Sequence, residues 1–263
     1  ITSSQFFATN TLARYWWIGT YIAVFGFILG FRIVLPLIKS LRHDFKVEKV
    51  IKENHDTISV VVRGVDVDAL KAQGGQFFGW RFLQSNTWWE SHPYSLSASP
   101  RNDRLRITVK NLGDHSGFLR KLRPGTRVLI EGPYGVFTAD QVKQRKIALI
   151  AGGVGITPIR AIMEELPKNS EIDLIWRVSK DVDLILHDEV KELATLHNAR
   201  VHYMIGSRKQ FPLSPGRIRA TIPHINSCDV FMCGPDGMIE QARASLQSLG
   251  VHEDRIHDEA FAF

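Results

Sequence analysis

Cysteine is almost absent from the 263 residues: Cys228 and Cys233 are the only two. Two thiols cannot build a disulfide framework, nor supply the four thiolates of a plant-type iron–sulfur cluster. A reducing compartment is the simplest expectation. The sequence also lacks internal repeats and low-complexity tracts, and its ten histidines are scattered at no metal-like spacing, so no metal site is expected. With 44% hydrophobic and 23% charged residues, the composition excludes a disordered chain, a collagen and a linker protein. The net charge of +6 leaves nucleic acid, a membrane surface or an anionic cofactor as partners, and the placement of the charge must separate them. At about 100–200 residues per domain, the length fits two domains or one large one.

What the chain does have is a long apolar run near its start. Tyr15 to Phe31, YWWIGTYIAVFGFILGF, carries no charge, and after Arg32 the sequence IVLPLI extends the run to Ile38. A helix over residues 15–38 is about 36 Å long, enough for a hydrocarbon core of about 30 Å. Tyr15, Trp16 and Trp17 stand where an aromatic belt belongs. Lys39, Arg42, Lys46 and Lys49 follow, against Arg14 alone before, which places the following domains on the cytoplasmic side of a membrane. Arg32 is near enough to that end to snorkel. The run is too long for a signal peptide and has no small-residue cleavage site. A buried core helix is the competing reading, and the Trp pair and the lack of a polar face argue against it. The chain opens on Ile1, not Met. It is expected to be a piece of a longer protein, with residues 1–14 an upstream remnant and this helix the last of several.

Two rhythms follow. From 43 to 140 the pattern is short strands, FKVEKVIKE, TISVVVRG, GQFFGWRFL, HPYSLSAS, RLRITVKN and TRVLIEG, separated by turn chemistry such as Gly74-Gly75 and Pro124-Gly125. With one short helical insert, Ser116 to Leu122, they predict a six-stranded antiparallel β-barrel. From 146 to 263 strands alternate with helices, beginning with KIALIAGG and ITPIRAIMEELP and closing with RIHDEAF. Unbroken apolar runs such as IALIA suit strands buried on both faces, and the alternation predicts an α/β doubly wound, five-stranded parallel sheet.

Gly152-Gly153-Val154-Gly155-Ile156-Thr157-Pro158 joins a strand to a helix. Glycines there let backbone approach a phosphate, and the helix N-terminus offers free N–H donors. The spacing is not G-x-G-x-x-G, and a plain tight turn remains the competing explanation.

Three further segments narrow the choice: His92-Pro93-Tyr94-Ser95-Leu96-Ser97 at the end of a barrel strand, Gly132-Pro133-Tyr134-Gly135 at the end of the barrel, and Cys233-Gly234-Pro235-Asp236-Gly237-Met238 at the end of a buried strand. In this order and at these distances they resemble the ferredoxin–NADP reductase superfamily over roughly Phe45 to Phe263. The HPYS form, the preceding apolar helix with its Leu-Pro and the terminal aromatic resemble its membrane branch, which holds ferric reductase-like transmembrane proteins and NADPH oxidases.

The resemblance implies roles. His92, Pro93, Tyr94, Ser95, Leu96 and Ser97 would all belong to the flavin site, with Tyr94 packed along the flavin and Ser95 hydrogen-bonded near its N5. Soluble members carry Arg where this chain has His92, so the flavin phosphates would need Val109-Lys110 and Gly113-Asp114-His115-Ser116. A bland reading of Asp114 or Ser116 is helix capping. Room for a second phosphate and an adenine argues for FAD over FMN. Phe263 would cover the flavin face and be displaced by nicotinamide, whereas Phe261 suits a core-facing strand position. Cys233 would sit beside the nicotinamide C4, or equally be a small buried residue. Gly234, Pro235 and Met238 would complete the nicotinamide site.

The second strand ends with Arg177 and Ser179, and the Ser207-Arg208 pair that ends the third resembles the pair that holds the 2′-phosphate in plant-type reductases; with no carboxylate between Ile175 and Lys180 this favours NADPH over NADH, a solvated basic loop being the competing reading. A membrane haem would need ligands outside this chain, since residues 15–38 contain no histidine. The function implied is hydride transfer from NADPH to FAD, then single electrons to a haem in upstream transmembrane helices, and on to ferric iron or oxygen. The alternative is a singly anchored reductase feeding a soluble acceptor protein. The partners are membrane lipid and the haem-bearing helices. The basic balance needs no nucleic acid, and the oligomeric state is left open.

Overall fold

The computed structural model describes residues 11–84, 90–111 and 117–261. A continuous helix opens it: α1 (Thr11–Leu29) passes through a π-helical turn (Gly30–Val34) into α2 (Leu35–His43). The turn ends two residues before Pro36, which has no N–H to give the preceding turn. None of α1 is buried, and Thr11–Val34 is long and apolar enough to cross a membrane. The helix extends beyond residues 15–38 at both ends because nothing in the flanking residues breaks it until Asp44, which turns left-handed at φ 42°. α2 seats the helix on the first domain. Ser40 Oγ accepts from Ile130 N at 3.0 Å, and His43 Nδ1 lies 2.7 Å from Val65 O.

The first domain holds β1 (Lys46–Lys52), β2 (Thr57–Arg63), β3 (Phe77–Phe82), β4 (His92–Ser95), β5 (Arg104–Lys110) and β6 (Val128–Tyr134). They form two antiparallel three-stranded sheets, β1-β2-β5 and β4-β3-β6, joined by the bridges Lys46–Arg127 and Leu96–Ile107. Period-two alternation along β3 sends Phe78, Trp80 and Phe82 into one core with Phe45, Leu96 and Ile107. The expected helix at 116–122 is, in its described part, one 3-10 turn over Phe118–Lys121. Only Leu119 of that turn is buried, too little apolar surface to hold a longer helix before Pro124.

The second domain alternates β7 (Lys146–Gly152), α3 (Ile156–Met163), β8 (Glu171–Val178), α4 (His187–His197), β9 (Arg200–Ile205), α5 (Pro215–Thr221), β10 (Asp229–Pro235), α6 (Asp236–Ser248) and β11 (Ile256–Phe261). The sheet is parallel throughout, in the order β11-β10-β7-β8-β9. β7 and β10 are buried almost end to end, with a separate apolar core on each face of the sheet. At the N-terminal end of the strands Asp173 accepts from Arg200 at 2.7 and 2.6 Å and lies 3.0 Å from His202 Nε2. That buried carboxylate ties β8 to β9 at the end of the sheet remote from the glycine loop.

Candidate cofactor site

The C-terminal ends of the parallel strands face the open side of the barrel, where a doubly wound sheet ordinarily binds its ligand. The glycine loop is shaped by close approach. A Cβ on Gly155 would stand 2.1 Å from Cys233 O, and Gly153 has φ 55°, a region that L side chains rarely occupy. No other residue type lets β7 turn into α3 this close to β10.

Two cavities occupy the cleft. The first, of about 430 Å³, is framed by Phe77, Pro93, Tyr94 and Ser95 from β3 and β4, by Thr108, Val109 and Lys110 from β5, and by Val154, Thr157, Glu259, Ala260 and Phe261 from the second domain. It is mostly apolar, and its size falls in the range of about 300–1,000 Å³ common for cofactor sites. Burial pushes the Tyr94 phenol up to about 12. Ser95 Oγ donates to Glu259 Oε1 at 3.2 Å, while Glu259 Oε2 is buried with no hydrogen-bond partner. Burial raises the Glu259 carboxyl to about 7, and the Ser95 hydrogen bond opposes part of that rise. An orphaned carboxyl oxygen beside an apolar slot fits a ring that can exchange protons there.

The second cavity, of about 150 Å³, lies over the loop: Gly152, Gly153 and Val154 beneath, Arg177, Ser179, Asp183, Gly206 and Arg208 at the ends of β8 and β9, and Asn54, Asp56, Thr57 and Lys110 on the barrel side. Burial lowers the Arg177 pKa, and the nearby charge of Arg208 lowers it further. Two guanidinium groups that repel one another beside a glycine loop at a helix N-terminus are a receptor for an anion. Asp183 is turned to Lys180 N, from which it accepts at 3.2 Å. Val154 and Lys110 line both cavities, so the two are one continuous cleft.

Of the residues singled out in the sequence, Pro93, Tyr94, Ser95, Val109, Lys110, Val154 and Thr157 come together in the first cavity, and Gly152, Gly153, Arg177, Ser179, Arg208, Pro235 and Met238 in the second. Others line neither. The pleat sends Leu96 into the barrel core, and Ser97 is buried beside Thr108. Ile156 and Cys233 pack into one core of the parallel sheet, and Pro158 is buried with them. Burial first, then Glu259 and Asp258, push the Cys233 thiol well above its usual range. The Cys233 side chain lies in the core of the parallel sheet, with Glu259 its partner in the register of β10 and β11. Gly155 and Gly234 act through backbone packing. His92 lies 3.4 Å from Glu90 and outside both cavities. Ser207 turns to Gln210, which leaves Arg208 alone of that pair at the cavity. Gly113, Asp114, His115, Ser116 and Phe263 lie outside the described residues.

Glu259, Phe261, Phe77 and Thr108 were not singled out as cofactor ligands. Glu259 is one acid in an acidic stretch, and nothing local marks it. Phe261 lines the cavity as well as packing against the core of the second domain.

Residues 42–138 match the family model of an FAD-binding domain, and residues 149–244 that of an oxidoreductase NAD-binding domain. The ferredoxin reductase component of a 3-ketosteroid-9-alpha-monooxygenase from Rhodococcus rhodochrous is 27% identical over 225 residues, 82% of this chain and 64% of that protein. An NADPH oxidoreductase of Mycobacterium tuberculosis is 28% identical over 224 residues, 80% of this chain and 58% of that protein. The chain thus spans 64% and 58% of the length of these two relatives. Among solved structures, the FAD/NAD-binding domain of the nitric oxide dioxygenase from Vibrio cholerae superposes with a TM-score of 0.67 at 23% identity, covering 84% of this chain and 99% of that one.

Proposed function

The chain belongs to the ferredoxin–NADP reductase-like superfamily, and we propose that it is the flavin dehydrogenase of a membrane electron-transfer enzyme, taking hydride from NADPH and delivering single electrons to a haem held by further transmembrane helices, with ferric iron or oxygen beyond. One observation carries the reading: an apolar cavity against Tyr94 and Phe261 opens at Val154 and Lys110 into a basic cavity over the glycine loop. A nicotinamide nucleotide held by its phosphates at the loop would have room for its ring end in the flavin cavity.

FAD bound in the first cavity would supply a hydride acceptor able to release electrons one at a time. The rest is the work of this chain. Tyr94, Phe77 and Val109 would hold the ring system, and Lys110 the phosphates. Ser95 and Glu259 place a hydroxyl and a carboxyl of near-neutral pKa side by side, so a proton can be held or passed on at Ser95 Oγ near pH 7. Arg177 and Arg208 favour a 2′-phosphate, hence NADPH over NADH. Thr11–Val34 would lie in lipid, with the basic residues after it on the cytoplasmic side.

The test is direct. The detergent-solubilised chain should take up FAD with a fixed stoichiometry, and anaerobic NADPH should bleach it. Absence of flavin uptake would overturn the reading. Bleaching without reoxidation by the native membrane fraction, but with reoxidation by a soluble haem protein, would favour the singly anchored reductase.

A further inference from the structure

The proposed chemistry depends on the distance between two domains, and charged groups bridge them. Arg106 of β5 donates to both oxygens of Glu189 on α4, Nη1 to Oε1 and Nη2 to Oε2, each at 2.8 Å. Arg160 of α3 meets the same carboxylate, with Nε 2.8 Å from Oε2. Both guanidinium groups also reach the barrel backbone at one point: Arg106 Nη2 donates to Ser97 O at 2.8 Å and Arg160 Nη1 to the same oxygen at 3.3 Å. The Arg160 side chain is only 9% exposed and that of Arg106 14%. Burial works to raise the Glu189 carboxyl, but the hydrogen bond and charge of Arg106, with those of Arg160, hold it below the usual carboxylate range. It is an anion shared by two cations from two domains.

We propose that Glu189, bracketed by Arg106 and Arg160, is an interdomain clamp that sets the separation of the flavin cavity from the nucleotide loop, and that these three are positioning residues for hydride transfer.

The clamp grips one pleat or one turn away from cavity residues. Ser97 is two positions after Ser95, Arg106 two before Thr108, and Arg160 three after Thr157; Ser95, Thr108 and Thr157 all line the flavin cavity. A shift at Glu189 is therefore passed to both walls with no flexible segment between. A second steric contact between the barrel and α3 supports the same role. A Cβ on Gly74, in the barrel, would stand 2.4 Å from Ala161 O, and Glu165 accepts from Gly74 N at 2.8 Å. Helix α3 is thus held to the barrel at two points, the Gly74 turn and the ion cluster, with the glycine loop at its N-terminus. Reactions that need two rings in contact are steep in separation: a misplacement of about 1 Å can cost about 100-fold in rate.

The inference rests on the hydride-transfer reading only for its kinetic consequence; the clamp itself has a readout of its own. Cys228 and Cys233 are buried, so spin labels can be placed on cysteines introduced at Val65 of the barrel and Leu196 of α4, which are 58% and 71% exposed. In the full chain, Glu189→Gln should broaden the distance distribution between the labels. It should also slow single-turnover flavin reduction by about 10- to 100-fold while flavin and nicotinamide dissociation constants change little. Glu189→Asp, which keeps the charge, should recover part of both. Should Glu189→Gln not fold, Arg106→Gln is measured in the same way. An unchanged distance distribution overturns the clamp, as does a slower reduction that only follows lost flavin. If the wild-type flavin accepts no hydride from either nicotinamide, the functional reading fails, and the label distances still decide the clamp.

Discussion

Ser95 Oγ donates to Glu259 Oε1 at 3.2 Å, joining the flavin strand of the barrel to the last strand of the second domain across 164 residues of chain. Both residues line the apolar cavity, and one carboxyl of the protein becomes pH-sensitive there in the neutral range. Glu259 has its pKa raised from 4.5 to about 7 by burial. The sign follows from linkage. Below about pH 4.5 the group is neutral folded and unfolded, and it costs nothing. As pH rises from there towards 7 the unfolded chain releases the proton first, so stability falls, by about 3 kcal/mol once the pH exceeds 7. Glu259→Gln removes that cost. Before flavin is added, the variant should unfold at higher temperature than wild type at pH 8 and at the same temperature near pH 4.5. Matching curves at both values would mean that Glu259 is ionised freely in the fold. In the loaded enzyme the same substitution should erase a step near pH 7 in the rate of flavin reduction.

Ser95→Ala tests the other half of the pair. It leaves the second Glu259 oxygen unpartnered as well and removes a donor at the reacting end of the cavity. Flavin reduction should slow by about 10-fold, the equivalent of one ordinary hydrogen bond, while the dissociation constant for NADPH stays near the wild-type value. Stopped-flow reduction against nicotinamide concentration separates the two quantities. A loss in affinity with an unchanged limiting rate would assign Ser95 to nucleotide binding.

What was legible in the sequence was local. The apolar helix shows in hydropathy, the change from short strands to strand–helix alternation shows in periodicity, and His92 to Ser97 and Gly152 to Pro158 each end a strand with chemistry that a turn can present. The structure brings the two segments to one cleft. What was not legible depended on distance in sequence. Glu259 matters only because Ser95 folds against it, and its neighbours Asp258 and Glu253 look the same in sequence but pair with Arg243. Glu189 reads as an ordinary acid in the first turn of α4, where it would suit the helix dipole, until Arg106 arrives from 83 residues away. Cys233 shows the limit of a motif: β10 is buried on both faces, so the segment alone does not tell which side the thiol takes.

Arg208 should decide between the two nicotinamides. It shares the basic cavity with Arg177, whose guanidinium is depressed by burial and by Arg208 itself. Arg208→Ala should raise KM for NADPH by about 10-fold, given about 1.5–3 kcal/mol for a hydrogen bond to a charged group, and should barely alter the kinetics with NADH. Steady-state kinetics with both nucleotides checks it. Equal losses with each would place Arg208 on the diphosphate that they share.

The gate over the flavin can be assigned between two phenylalanines. The terminal Phe263 is the expectation from resemblance. Phe261 lines the apolar cavity from β11 and lies in register with Pro235, at the end of the strand beside the glycine loop. On the proposed reading a ring there would occupy space that a nicotinamide needs, and the incoming nucleotide would have to displace it. Aromatic stacking is worth about 0.5–1.5 kcal/mol beyond burial, so removing the ring should tighten binding of oxidised nicotinamide by about 2- to 12-fold and increase the charge-transfer absorbance between flavin and nicotinamide. Turnover can fall all the same, because a tightly held product leaves slowly. Phe261→Ser and Phe263→Ser, compared by flavin difference spectra, decide which ring it is. If Phe261 were only a core residue, its loss would lower the melting temperature and leave the nicotinamide dissociation constant where it was. If Phe263→Ser alone tightens binding, the gate is the terminal ring, and Phe261 is the wall against which it closes.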